Sequence, residues 1–436
     1  MRFKLVFTFF VISVLALIGC DSNEPEENSK LKLTVEDVSC TEAWLKISDA
    51  KGSLITLKRD NKEIMQFKLT GTDTIVVDDS LLPTKTYRYQ VFSLPAGQAG
   101  IQYPTSSIEV PVTTMDTTSH NFTWQSWTFG ENGAGSSTLY DVAIIDESNI
   151  WAVGSIYIKD SLGNPDPHSY NVAHWNGLKW ELKRINFYTI CGHKNLTPYP
   201  AKSIFAIDKN EILIAMDGDQ IAKLENGIQV DQFCLPSFLS MSINKLWGNN
   251  SKDYYIIGNR GNIAHYENGN WHKIDTGNEW DIYDMFGYTN SFNKVEIICA
   301  ATDPNDYSNS VIYKITDEPS LEFIRLNTKR LTGSVWTNKG NILYVCGDGI
   351  FTNKSGKWEE EILPVNYVTS KIRGNNLNDI FVCGVLGLIA HYNGINWKVY
   401  NDNQNTIYSA VNIKENITAF AGWRNGQAVI TIGKRN

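Results

Sequence analysis

The sequence predicts an all-β chain in two parts, a small β-sandwich over residues 31–115 and a β-propeller of about seven four-stranded blades over residues 121–436. Three observations carry this. A pattern read as G-L-I-A-H-Y-N-G-I-N-W at residues 387–397 returns as G-N-I-A-H-Y-E-N-G-N-W at 261–271 and as Y-N-V-A-H-W-N-G-L-K-W at 170–180. Upstream of each copy lies an apolar run ending in glycine, at 150–154, 254–258 and 380–384. The last unit has only three strand runs, and a spare one, N-F-T-W-Q-S-W-T-F at 121–129, stands before the first.

Each copy alternates apolar and polar residues, meets Asn-Gly or a variant, and resumes after a Trp, which is how a hairpin reads. The Asn-Gly pair is expected to supply the positive φ angles of a tight primed turn. A four-stranded unit of this kind leaves both faces uncovered, so neighbours must stack, and a ring does so with few exposed edges. Inner strands are expected to start near Leu139, Lys202, Ile243, Ile282, Gly333, Val368 and Ile407. The strand at 121–129 then supplies the outer strand missing from the last unit and closes the ring.

In chain order, Arg2 and Lys4 precede an apolar run at 5–18 that is too short for a comfortable membrane span, the layout of a secretory signal. Leu17-Ile18-Gly19-Cys20 resembles a bacterial lipobox, which implies that residues 1–19 are a lipoprotein signal peptide and that Cys20 carries the lipid. Residues 20–30 are polar and acidic without aromatics, the composition of a disordered tether. Asp21, Glu24, Glu26 and Glu27 resemble the export signals of surface lipoproteins in Bacteroidetes-type bacteria. An Asp directly after the lipid-bearing Cys also resembles an enteric inner-membrane retention signal, so the resemblances imply a lipid-anchored envelope protein of the outer membrane, exposed at the surface, with the membrane side open.

Between residues 31 and 115 the chain shows short alternating runs at 31–38, 43–47, 54–58, 64–69, 74–77, 86–94 and 107–113. The stretch L-P-T-K-T-Y-R-Y-Q-V at 82–91 resembles the tyrosine-corner strand of fibronectin type III domains, with Tyr87 at the corner and Trp44 as the buried Trp of the second strand. The resemblance implies a rigid spacer. A polar linker at 114–120 follows.

A net charge of -8 excludes a basic nucleic-acid face, and 12% aromatic with 20% charged residues suits a strand-rich extracellular protein. No second apolar run reaches the length of a membrane helix, so lipid is the expected anchor. Cys299, Cys346 and Cys383 fall at one repeat position and are expected as buried thiols between blades. Cys191 and Cys234 lie in loops after the first two blades, and spacing leaves open whether they pair.

His174, His265 and His391 share one position of the repeat, which assigns them a structural role. His193 beside Cys191 lacks zinc-ligand spacing. Residues 303–309 and 217–219 hold alternating oxygen ligands but depart from a calcium loop, with Ser308 where Gly is needed, so ordinary polar turns are expected and no metal or cofactor is assigned. Arg260, Arg373 and Arg424 would have to converge at the axis for a sialidase-like enzyme. The turn motif, nucleophile elbow and phosphate loop that would mark an enzyme are missing from the sequence.

Connections between second and third strands, and between consecutive blades, open on one face of a propeller. The long departures from the repeat, residues 159–169, 187–200, 232–240 and 302–310, all belong to these types. The same face is expected to carry Arg260, Trp280, Tyr283, Asp348, Trp423 and Arg424, aromatic and charged side chains suited to hot spots or to sugar stacking. Trp175, Trp180, Trp271, Trp358 and Trp397 recur in register and are expected to pack between blades. The repeats resemble those of bacterial propeller lipoproteins. The expected function is therefore a non-catalytic binding module for a protein or glycan partner at the cell envelope, with a glycan-processing enzyme or a structural assembly factor as alternatives.

Overall fold

The computed structural model describes residues 31–50, 54–94, 105–290, 293–316, 321–326, 332–354, 356–401 and 405–436. The expected signal, Cys20 and the tether lie outside them. Among the described residues there is no α-helix, and the only helical element is a short 3-10 turn at Ser237–Leu239. The chain divides into two compact units, one of Ile47–Thr74 and Tyr89–Glu109 with residues 31–33, the other of Thr34–Lys46, Ile75–Arg88 and Val110–Asn436.

In the first unit, strands Leu54–Arg59 and Lys62–Lys68 form a hairpin. Its turn takes positive φ at Asp60 and Asn61, residues whose short polar side chains tolerate it. The first of these strands also pairs with residues 89–94, and Ile55, Leu57, Tyr89 and Val91 alternate onto one fully buried face.

In the second unit, the Tyr87 hydroxyl accepts a hydrogen bond from the Leu82 amide at 2.9 Å. Trp44 is buried as expected, but its surroundings differ. It packs in a cluster with Trp336, Ile342 and Tyr344 rather than among sandwich strands alone, because the strand that carries it belongs to the same compact unit as the repeat.

Among the described residues this unit also holds seven four-stranded antiparallel sheets, with a two-stranded ribbon of Phe187–Tyr188 and Leu196–Thr197 beside them. Their first strands are β1 Thr138–Asp146, β2 Ala201–Ala206, β3 Ile243–Asn250, β4 Asp281–Thr289, β5 Thr332–Thr337, β6 Thr369–Asn376 and β7 Thr406–Lys414. Each packs against the next, and β7 packs back on β1. The seventh sheet is completed by Phe122–Phe129, which pairs antiparallel with Gln427–Arg435 from Phe129 opposite Ala428 to Phe122 opposite Arg435. The two ends of the repeat thus share one sheet, as expected from the spare Trp-rich strand.

Apolar side chains between sheets hold the stack. Between the seventh and first sheets, Ile417, Ala419 and Ile430 meet Leu139, Val142 and Ile150, with Trp175 and Trp180 closing the outer edge against Trp127. Trp271, Trp358 and Trp397 hold the same outer place at other interfaces. Fully burying one Ile or Val contributes about 1.5–3 kcal/mol, so each interface outweighs any single hydrogen bond across it.

Three repeat details differ from expectation. The primed turn forms at Asn268-Gly269, where both residues have positive φ. At Asn176 and Asn393, however, the Asn side chain itself accepts the amides two and three residues on, so that only Gly177 and Gly394 are left-handed. Residues 302–310 are a lengthened hairpin, since the strands run to Asp303 and resume at Asp306. Cys299 is out of register with Cys346 and Cys383. Those two stand opposite Ser334 and Lys371, whereas Ala300 holds the equivalent place opposite Asp284. One residue of offset turns a strand side chain to the other face, so Cys299 packs toward the third sheet and not the fifth.

Candidate interaction face

Every first strand carries a β-bulge at the same place, with Tyr140, Lys202, Asn244, Tyr283, Gly333, Ser370 and Ser409 as the extra residues. A bulge tightens twist and re-aims the side chains beyond it. Here it marks the boundary between one end of the ring and its buried middle. The bulged residues are half-buried at the end where the first strands begin, hereafter the upper face. Lys202 lays its ammonium over the Tyr140 ring at 4.4 Å.

Antiparallel pairing sends second-to-third-strand turns and sheet-to-sheet connections to the upper face, so all six expected site residues lie there. Arg260 sits in the turn after the second strand of the third sheet, exposed and with a left-handed backbone, its amide bonded to Asp281. Asp348 is exposed in the equivalent turn of the fifth sheet. Trp423 and Arg424 end the second strand of the seventh. Trp423 donates to the Ser136 hydroxyl at 3.3 Å, and Arg424 is bound to the Thr406 and Tyr408 hydroxyls. Burial, with Asp281 and Tyr307 adding to it, pushes the Tyr283 phenol above its ordinary range.

The structure brings only some of these together. Trp280 joins Asn278, Ser308, Phe323 and Arg325 around a groove of about 350 Å³. Asn278 shapes it, since its side-chain oxygen accepts both the Trp280 amide at 3.0 Å and the Tyr313 hydroxyl at 2.8 Å. Phe323 is 54% exposed and offers its ring to this groove. Phe323 and Arg325 were not singled out in the sequence, although their spacing of two on a strand puts both on one face.

The three arginines of the enzyme reading have different places and partners. Arg260 and Arg424 are on the upper face, while Arg373 is buried inside the ring on Asp284. The oxygens of the 303–309 turn are engaged within it, Asp306 accepting from Ser308 and Asn309, and Asp303 from the Asn305 amide.

The remaining connections build a wall on one side. Cys191 and Cys234 form a disulfide that ties the 187–200 excursion to the last strand of the second sheet. Two glutamines reinforce it. Gln220 makes paired bonds to the Tyr188 backbone and Gln229 to that of Asn186, each like one rung of a strand ladder. In the first sheet Arg184 pins residues 157–169 through Asp166 at 2.6 Å and the His168 carbonyl at 2.7 Å. The wall raises exposed apolar tips, Leu162, Ile190, Phe238 and Tyr307. The fifth, sixth and seventh sheets have tight turns at Asp348-Gly349, Leu386-Gly387 and Asn425-Gly426 instead.

The three repeat histidines each tie the third strand of their own sheet to its second. His174, His265 and His391 stack on Trp151, Tyr255 and Phe381, and each Nε2 meets an oxygen of Asn149, Asp253 or Asp379 at 2.8–3.0 Å. An Asn or Asp two residues before the aromatic residue marks this set in the sequence.

No protein-family model and no curated protein matches the chain. Solved structures do. "YCF48 bound to D1 peptide" is 15% identical, with 73% of this chain and 99% of that one covered at a TM-score of 0.54. "YCF48 from Cyanidioschyzon merolae" is 11% identical, with 72% and 98% covered at 0.50. At such identities the likeness is one of fold. Sheet order, ring contacts and these neighbours agree that the chain is a β-propeller.

Proposed function

We propose that this protein is a non-catalytic, lipid-anchored envelope protein whose seven sheets are the blades of a ring that holds a protein or glycan partner on its upper face. The observation that carries this reading is the groove of Trp280, Phe323 and Arg325 beside the walled half of that face. The exposed Phe323 ring and the half-buried Trp280, flanked by an arginine, suit both sugar stacking and peptide hot spots. Support for a protein partner comes from YCF48, a propeller of similar fold solved bound to D1 peptide. The disulfide accords with an oxidising compartment outside the cytosol. Under this reading the residues before 115 act as a spacer above the lipid on Cys20.

The test is affinity capture from detergent-solubilised envelopes, with a glycan array in parallel, comparing the native chain with Trp280→Ala/Arg325→Ala. The expected result is loss of the captured partner or glycan signal at an unchanged melting temperature. An unaltered capture, or turnover of a glycan by the native chain, would overturn the reading.

A further inference from the structure

Inside the ring, the first residue past each bulge reads Asp141, Ser203, Lys245, Asp284, Ser334, Lys371 and Ala410. Arg373 follows two residues after Lys371, on the same side of its strand. The layer holds three basic side chains, Lys245, Lys371 and Arg373, and two acidic ones, Asp141 and Asp284; burial lowers the Lys245 pKa while Asp141 opposes it, and Asp284 is shared by Arg373 and Lys371. With all five ionised, their formal charges sum to one positive charge. A surplus charge removed from water is costly unless a counter-charge reaches it.

The layer borders a cavity of about 190 Å³. Lys245 and Arg373 line it and the two carboxylates do not, so the cavity meets the positive side of both pairs. The Lys245 ammonium has three N–H donors, and its two hydrogen bonds both end on Asp141. Arg373 is fixed by bidentate contact with Asp284, and also donates to the Ile372, Val335 and Met285 carbonyls and the Ser334 hydroxyl, so its charge rather than a free N–H faces the cavity. The walls are Phe205, Trp247 and Phe286, all half-buried. Asn412 of β7 stands where β6 has Arg373. Most of the lining comes from the later halves of the first strands, so the cavity belongs to the end of the ring opposite the upper face.

We propose that this cavity is a second binding site, which takes a small apolar monocarboxylate with its anionic end against Lys245 and Arg373 and its body among the three aromatic rings. The site does not depend on the partner proposed for the upper face.

Benzoate is the probe and benzamide its neutral isostere, titrated by calorimetry into the folded chain. Saturable benzoate binding at least about tenfold tighter than benzamide is expected, weakened by a similar factor in Lys245→Met. Asn412→Asp brings the missing negative charge to the cavity wall. It should raise the melting temperature and abolish benzoate binding, whereas a cavity that only fills space predicts the reverse for a new buried carboxylate. Equal binding of the two probes, no saturable benzoate signal, or a destabilised Asn412→Asp that still binds benzoate would each overturn the proposal.

Discussion

Lys245 donates to both carboxylate oxygens of Asp141, at 2.7 and 2.6 Å, across two sheet interfaces. Asp141 also takes the Ser203 hydroxyl at 2.9 Å and the Ile204 amide at 3.0 Å. Three sheets on, Asp284 repeats the arrangement with the Ser334 hydroxyl, the Val335 amide and Lys371. Even the serine oxygens match, accepting from the Leu246 and Ile372 amides. Six of the seven first strands are thus joined by two equivalent Asp–Ser–Lys bridges, and Ala410 leaves the seventh out of the pattern.

Removing Asp284 should cost about 3–5 kcal/mol, because Arg373 and Lys371 are left buried without their counter-charge. Urea unfolding of Asp284→Ala at neutral pH measures this. Burial pushes this carboxyl up, but Arg373 and Lys371 outweigh it and hold it well below the usual carboxylate range. A depressed folded pKa stabilises above the unfolded value of about 3.9 and loses that contribution as pH falls. The gap between native chain and Asp284→Ala should therefore narrow in acid.

His174 gives stability a second pH dependence, at higher pH. Burial, helped by Lys183, lowers its pKa to about 4, and its Nδ1 is buried with no hydrogen-bond partner. The folded state holds it neutral while the unfolded chain takes up a proton below about 6.5, so stability falls as pH drops from there toward 4. His174→Gln keeps a donor for Asn149 and cannot titrate. It should flatten the pH dependence of the urea midpoint in that window.

The Cys191–Cys234 bridge closes a separation of 43 residues, and losing it should cost about 2–4 kcal/mol. Because it anchors a surface excursion, the Cys191→Ser/Cys234→Ser chain should also be cut sooner by protease within residues 187–200. Mass spectrometry of the fragments locates the cut.

A Cβ on Gly433 would stand 2.4 Å from the Trp124 ring, which lies flat on this strand of the closing sheet. Gly433→Ala should therefore destabilise by about 1–3 kcal/mol through overpacking. Trp124→Leu in the same chain should recover part of the loss, a coupling that a double-mutant cycle reads directly.

Local pattern fixed the strand runs, the first-strand starts and the closing strand before Leu139, because alternation and Asn-Gly turns are properties of a few consecutive residues. The shared position of His174, His265 and His391 was legible for the same reason. Register was less so, and the offset of Cys299 shows why: a bulge adds one residue to a strand without changing its apolar look. The Asp–Ser–Lys bridges were present in the sequence one to three residues after the expected first-strand starts, yet invisible as chemistry, since each links residues some 38–104 positions apart.

By itself the sequence determined that the chain is all-β, that its hairpins repeat, and that two ends of the repeat complete one sheet. Tertiary structure alone decided that Trp280 meets Phe323 and Arg325, that Arg373 pairs with Asp284, and that Cys191 reaches Cys234. The physical reason is that side-chain alternation is set by steric rules within one strand. Which side chains meet across sheets depends instead on how bulges, turns and ring closure place strands that are far apart in the chain.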